Sequence, residues 1–391
     1  MLVVRAHHPE PMLGKLMDNY KHRCLLPFHH IAIRPDNQVF PCCQFRWEHT
    51  PRDLNLSYPD VFNHPFMQQL RESMIKDEYV EGCSSCYKHE RLRYNGKESM
   101  RLNYIKRLGS KIPEEPVLTH VDLALSNVCN NKCRMCNPGL STSWYSDAIK
   151  LGKEFFGNQG ENISGVKYSK HFYEQYDLSK LRYIKLIGGE PLMEEDKFID
   201  LLNRCNLSQL RVFLTTNTTL IPSDKLHDLL KKCELVTVNL SVDAYGNLNG
   251  FLRKGSQWEN VTKVMDWFAA NFPFVTKVHG IITIYNVNNF YELSNFIRNR
   301  YTSKIGIEWR MVDGRDWIKC FNLPEEVKTK IITNLKHKVD VTTYNMIYDE
   351  MMKTGNFNSF LNVDNKLNSI RSEHWKDLNP ELYEMVKQHV E

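Results

Sequence analysis

No stretch of the 391 residues approaches the roughly 18 consecutive apolar positions that a membrane-spanning helix requires. The first ten, MLVVRAHHPE, hold too short an apolar run for the core of a secretory signal. A cytoplasmic location with no membrane partner is therefore expected. Basic blocks are missing too: 51 Lys and Arg are set against 46 Asp and Glu, a net +5 spread along the chain, so nucleic acid is not an expected partner. No internal repeat of roughly 20–50 residues is evident, which argues against a solenoid or propeller. With 42% apolar and 25% charged residues the composition is that of a globular protein. At this length it holds one large domain or two to three smaller ones.

What the chain does have is clustered cysteine. Seven of its 11 cysteines fall into two groups, Cys129, Cys133 and Cys136 within one short segment and Cys24, Cys42, Cys83 and Cys86 in the first hundred residues. Without an export signal, clustered thiols point to metal rather than disulfides.

From Val117 onward, short β-branched runs alternate with amphipathic stretches, the pattern of a parallel sheet wrapped by crossover helices. Six strands are expected, in Val117–Asn127, Leu181–Gly189, Gln209–Asn217, Leu235–Ala244, Phe274–Asn286 and Lys304–Val312. Helices are expected over Glu195–Arg204, Asp224–Lys232 and Glu259–Asn271. Six units are fewer than a closed eight-stranded barrel. The earlier part reads differently: a strand pair around Ile31–Ile33 and Val39–Phe40, a helix near Phe66–Ile75 and a charged helix from about Tyr87 to Leu108. The expected division is a cysteine-bearing domain over 1–110, a core domain over 117–324 and a helical region over 325–391, with Lys106–Pro116 as the linker.

Cys129-Asn-Asn-Lys-Cys133-Arg-Met-Cys136 directly follows the first core strand, where barrel-type folds place active sites. Thiolates at this density suit iron–sulfur or zinc, and no His or Cys follows within thirty residues to complete a zinc site. Three ligands on a four-iron cluster leave one iron open for a small chelating molecule.

These three cysteines resemble the motif of the radical S-adenosylmethionine (radical SAM) superfamily, and later strand ends add to the likeness. Gly188-Gly189-Glu190-Pro191 is similar to the turn where backbone and carboxylate approach the ammonium of S-adenosylmethionine. Asn217 and Ser241 with Asp243 resemble polar positions facing the ribose and methionyl end. Arg253 resembles the arginine that pairs with the methionyl carboxylate. Met135 stands where many members carry an aromatic residue beside the adenine. The resemblance implies a partial (β/α)6 barrel. It also implies reductive cleavage of S-adenosylmethionine to a 5'-deoxyadenosyl radical that removes hydrogen from a substrate, with an electron donor such as flavodoxin or ferredoxin.

The second set, Cys24, Cys42, Cys83 and Cys86, looks like a twitch domain, the short relative of the SPASM extension, which holds an auxiliary 4Fe-4S cluster. Asn37 stands where the family's hairpin carries glycine and tolerates the same left-handed backbone. Glu90, Gly96, Ser99 and Arg101 echo related enzymes in order. The same four thiolates could instead build a zinc ribbon. His29 and His30, neighbours on a strand, are expected to place at most one ring near the site. Such auxiliary-cluster enzymes commonly modify peptides or proteins, so a peptide is the first expectation. A small metabolite, carbohydrate or nucleotide is the enzymatic alternative, and a non-catalytic iron–sulfur or zinc protein is the alternative of another class. Cys320 is read as a buried structural thiol, with a hydrogen-atom donor at the barrel mouth as the alternative, Cys205 and Cys233 are read as packing, and Asp364–Arg371 resembles a barrel-closing helix.

Overall fold

The computed structural model of the chain describes residues 21–92, 99–109, 111–152 and 176–390. They fall into two compact units, one of residues 21–33, 38–122 and 176, the other of residues 34–37, 123–152 and 177–390.

In the first unit a short helix, Leu26–His29, leads into β1 (His30–Ile33), every residue of which is buried. β1 pairs antiparallel with β2 (Val39–Phe40) in the register Ala32↔Phe40 and Ile33↔Val39. Asn37, at φ 67°, takes the left-handed conformation expected of it. The helix Pro65–Ile75 begins at a proline, with the His64 ring accepting from the Phe66 N–H, and buries Met67, Leu70, Arg71 and Met74 along one stripe. Where one charged helix is expected, two occur, Ser84–Leu92 and Met100–Leu108. The second starts afresh because the Ser99 hydroxyl accepts from the Leu102 N–H at 3.1 Å, a cap that ends what precedes it. Gly96 lies outside the described residues. The strand that closes this unit, β3 (His120–Ala124), is a neighbour of β1.

The second unit continues from the end of β3 through β4 (Tyr183–Ile187), β5 (Arg211–Thr216), β6 (Leu235–Leu240), β7 (Thr276–Ile282) and β8 (Ile305–Met311). The strands lie in sequence order, and β4 to β8 pair in parallel, with Ile184 opposite Val212, Val212 opposite Val236 and Val238 opposite Thr276. Helices Glu195–Asn203, Asp224–Lys231, Trp258–Asn271 and Tyr291–Tyr301 make the crossovers from β4 onward. This is a partial (β/α) barrel, and each strand lies within one of the six stretches read from the sequence.

Alternation explains the strands: Ile184 and Leu186, Val212 and Leu214, and Val238 and Leu240 are buried while their neighbours are less so. Parallel strands bring all their C-terminal ends to one edge, so the loops after β3, β4, β5 and β6 converge there. Beyond Pro324 the chain is helical, over Glu325–Leu335, Val341–Met351, Phe357–Arg371 and Pro380–Val386. Among the described residues, no helix is long and apolar enough to cross a membrane.

Candidate active site

The segment from Cys129 to Cys136 has no regular structure and is held by backbone bonds to a distant strand of chain. The Lys132 and Arg134 N–H groups donate to the Lys254 and Leu252 carbonyls, each at 2.8 Å. Gly255 lies beneath it at φ +112°, and a Cβ there would meet the Asn130 carbonyl at 2.4 Å. The Trp144 indole donates to the Cys133 carbonyl at 2.9 Å and the Arg315 guanidinium to that of Cys136 at 2.6 Å.

This lacing brings the three thiols together. Burial pushes the Cys133 thiol up to about 12, Arg253 opposes this, and the Cys136 and Cys129 sulfurs push it further. Cys136 rises to about 11, again by burial first, with Cys129 adding to it. Cys129 is raised by burial, while the Asn131 N–H and the Asn217 carboxamide favour its thiolate. Three sulfurs that repel one another once ionised, in a site shielded from water, suit a polynuclear cationic centre that gives each its own metal atom. Asn131, fully buried in the same loop, has both side-chain polar atoms without a hydrogen-bond partner. The donor set is all sulfur and fits an iron–sulfur cluster.

Gly188 and Gly189 carry the turn after β4 at φ 75° and 51°. A Cβ on Gly189 would stand 2.5 Å from the Val128 carbonyl, so only glycine lets this turn lie against the cysteine loop. The Glu190 N–H donates to that same carbonyl at 2.8 Å, and Pro191 is buried at the start of the following 3-10 turn. The Glu190 carboxylate is 1% exposed. It accepts from the Leu192 N–H (3.1 Å), the Thr216 hydroxyl (2.9 Å) and the Asn217 N–H (2.5 Å). Those three bonds leave about one of its four acceptor positions open. Burial raises it to about 7, against the three hydrogen bonds that favour the charge.

Asn217 joins the two loops, donating to the Asn130 carboxamide at 2.7 Å and reaching the Cys129 sulfur at 3.6 Å. Asp243 and Arg253 engage each other at 2.6 and 3.1 Å, and Arg253 also lies 3.8 Å from the Cys133 sulfur. Burial works against the Arg253 charge, but Asp243 and the sulfurs outweigh it and hold the guanidinium above its usual range. Ser241 is half-buried, its N–H donating to the Thr216 carbonyl at 2.9 Å.

Sequence reasoning missed the lattice behind the loop. Arg134, fully buried, donates to Tyr285 and Asp364 (each 3.1 Å), Asn368 (2.5 Å) and Glu373 (2.8 Å), with its guanidinium 3.7 Å from the centre of the Phe251 ring. Lys132 and Arg371 both grip Asp147 at 2.7 Å. Helix Phe357–Arg371, read from the sequence as barrel-closing, thus clamps the cysteine loop by charge. Only the charges inside the motif hinted at it.

In the first unit, Cys24 is packed among Leu26, Phe28, Phe45, Leu70, Met74 and Tyr104, with Cys42 and Cys83 against the same cluster. Burial raises all four thiols, and they feel one another: Cys83 and Cys86 raise Cys24, and Cys42 is raised by its neighbour Cys43 and then by Cys24, Cys83 and Cys86. Arg101, 2% exposed, faces them and is held by Glu90 (Nε to Oε1, 3.0 Å) and by the Arg23 carbonyl (2.9 Å); Ser99 bonds the same Glu90. These four thiols also suit an iron–sulfur cluster. Among the described residues, no three His, Cys, Asp or Glu side chains converge tightly enough to hold a single ion. A cubane instead takes each thiolate on a separate iron. His30 is engaged by the Pro41 carbonyl (3.0 Å) and Asp122 (3.3 Å), and His29 is pushed down by burial.

Of the two readings of Cys320 the structure agrees with the buried structural thiol: it is 0% exposed and raised by burial and by the nearby Glu350. Cys205 and Cys233 sit just past helices Glu195–Asn203 and Asp224–Lys231, bonding back to the Leu201 and Leu229 carbonyls at 3.3 and 3.6 Å.

The family model described as Radical SAM superfamily matches residues 123–297. No curated protein matches the chain in sequence. Among solved structures, anSMEcpe with bound AdoMet and the Kp18Cys peptide is 16% identical, with a TM-score of 0.39, covering 55% of this chain and 59% of its own. Streptococcus suis SuiB bound to its precursor peptide SuiA is 15% identical, with a TM-score of 0.34, covering 90% of this chain and 75% of its own.

Proposed function

Because residues 123–297 match the radical SAM superfamily model, we propose that the chain is a radical S-adenosylmethionine enzyme acting on a peptide or protein. The observation that carries this reading is the gathering of Cys129, Cys133 and Cys136 against Asn217 and Arg253 where the strand ends converge. In this proposal the three thiolates hold a four-iron cluster. Gly188, Gly189, Glu190, Pro191, Asn217, Ser241, Asp243 and Arg253 line the cofactor. When bound, the cluster supplies the electron that splits the sulfonium carbon–sulfur bond. The chain supplies orientation and dryness. Glu190 offers its open acceptor position to the ammonium, Arg253 adds positive charge beside the thiolates, and Trp144 and Arg315 fix the loop carbonyls.

Residues 1–110 form the auxiliary domain, 117–324 the core and 325–391 the tail in the same proposal. Cys24, Cys42, Cys83 and Cys86 hold a second four-iron cluster, and flavodoxin or ferredoxin delivers electrons. The peptide substrate rests on the likeness of this second set to auxiliary-cluster enzymes. Metal analysis after anaerobic reconstitution is expected to give about eight irons per chain and no zinc, whereas about four irons with one zinc would remove the second cluster.

Glu190 makes cofactor binding pH-dependent. Its pKa stands at about 7 instead of 4.5, so the unliganded native state holds a proton that the unfolded chain has released, and stability falls as pH rises from 4.5 to 7. The ammonium requires the carboxylate. S-Adenosylmethionine affinity is therefore expected to drop about tenfold per pH unit below 7 and to level off above it. Calorimetry across pH 6 to 8 (~) checks this, with Glu190→Gln expected to bind weakly at every pH. A flat profile in the native protein contradicts the role given to Glu190.

A further inference from the structure

The first unit contains a cleft of about 870 Å³ whose charge the proposed chemistry does not use. Its walls come from several parts of the chain, Tyr79 and Arg101 among them. Lys21 and His22 are brought there by the Asp77 carboxylate, which accepts from the backbone N–H groups of Lys21 (3.1 Å), His22 (2.8 Å) and Arg23 (2.6 Å). Lys88 and Arg91 stand one helical turn apart on Ser84–Leu92, and Arg46 comes from the loop after Phe45.

Arg46 is paired with Glu48, and Arg101 with Glu90. Lys21, Lys88 and Arg91 are exposed and form no ion pair with any described residue. The apolar part of the wall is an aromatic group, with the His22 ring edge-on to Tyr79 at 5.4 Å and to Tyr87 at 5.0 Å. Two buried polar atoms on residues that line the cleft, His22 Nδ1 and Ser84 Oγ, have no hydrogen-bond partner among the described residues. A buried donor or acceptor left unmade costs stability.

We infer that this cleft binds an acidic peptide segment, the part of the substrate by which the enzyme recognises it. Three considerations favour a peptide over a small anion. The volume is that of a site for an extended ligand, far larger than phosphate requires. The unpaired cations lie on two parts of the chain, Lys21 on one and Lys88 with Arg91 a helical turn apart on the other, a spacing that suits carboxylates set along a peptide. The tyrosine faces give apolar contact between the charges. The site rests on the peptide-modifying function proposed above, and it adds the sign of charge that the substrate carries.

The test uses the full chain, reconstituted anaerobically, without S-adenosylmethionine, so that it reads binding alone. The probe is a fluorescently labelled twelve-residue peptide (~) of Glu and Asp with interspersed Leu, followed by anisotropy. Saturable binding is expected, weakened about tenfold or more by Lys88→Glu with Arg91→Glu and less by Lys88→Gln with Arg91→Gln. Both positions are exposed, and iron content and circular dichroism verify that each variant keeps its fold and clusters. Equal affinity in native and charge-reversed protein overturns the site. Complete displacement of the peptide by an equal concentration of inorganic phosphate also overturns it, in favour of a small-anion site. Absence of saturable peptide binding by the native protein, when a separate assay with S-adenosylmethionine and dithionite shows cleavage, identifies a failure here. Loss of cleavage in the native protein identifies a failure of the proposed function.

Discussion

Cys133→Ala is expected to abolish 5'-deoxyadenosine formation under dithionite, with the rate falling to that of the solution without protein. Removing a partner that only supports a metal ligand typically costs roughly 10–100-fold, and Cys133 is proposed as a ligand itself, so its loss is expected to exceed that range. The same variant should keep its fold. Cys133 is a fully buried thiol whose surroundings are fixed by backbone bonds, from Lys132 and Arg134 to the Lys254 and Leu252 carbonyls, that an alanine preserves. Chromatographic measurement of deoxyadenosine, beside circular dichroism, separates loss of chemistry from loss of structure. Native-like deoxyadenosine release from Cys133→Ala would falsify the cluster assignment.

The second large effect lies behind the loop. Arg134→Ala is expected to cost about 3–5 kcal/mol of stability, because it leaves Asp364 buried without its cation, and to lower iron retention by roughly 10–100-fold. Asp364 is 2% exposed and keeps bonds from Trp375 (2.9 Å), Asn368 (2.8 Å) and the Tyr285 hydroxyl. Those groups solvate its charge but do not neutralise it. Lys254→Ala provides the contrast. Its ammonium lies 2.8 Å from Glu373 but is one-third exposed (33%), so its loss is expected to cost no more than about 1 kcal/mol. Chemical denaturation and iron analysis of the two variants distinguish a clamp from ordinary packing, and similar small losses in both would remove the clamp.

These two predictions differ in how they could have been reached. The cysteine triplet was legible in the sequence because its ligands are close in the chain and follow a strand whose alternation is plain. The strands were legible for the same reason: burial at Ile184 and Leu186 or Val238 and Leu240 leaves a two-residue period that needs no partner to be read. Asn37 was legible because few side chains tolerate a positive φ. Arg134 was not, since its partners Asp364 and Glu373 lie more than two hundred residues away and nothing in local spacing connects them.

Pairing within the site was hidden likewise. Asp243 and Arg253 were each read as facing the cofactor, and the fold sets them on one another. Thr216, which ends the third core strand beside Asn217, turns its hydroxyl onto Glu190, a pairing that its place in the sequence does not disclose. The donor alternative for Cys320 falls away for a related reason. Nearness to a strand end in sequence says nothing about whether the thiol turns toward the mouth or, as here, into the packing near Glu350.

Electron paramagnetic resonance of the reduced, anaerobically reconstituted protein, with and without S-adenosylmethionine labelled with nitrogen-15 (~) at its amino group, tests the central claim most directly. A four-iron signal that shifts on addition and acquires coupling to the labelled nitrogen is the predicted result. A signal that ignores the cofactor, or coupling to a fourth protein side chain in its place, would contradict the account.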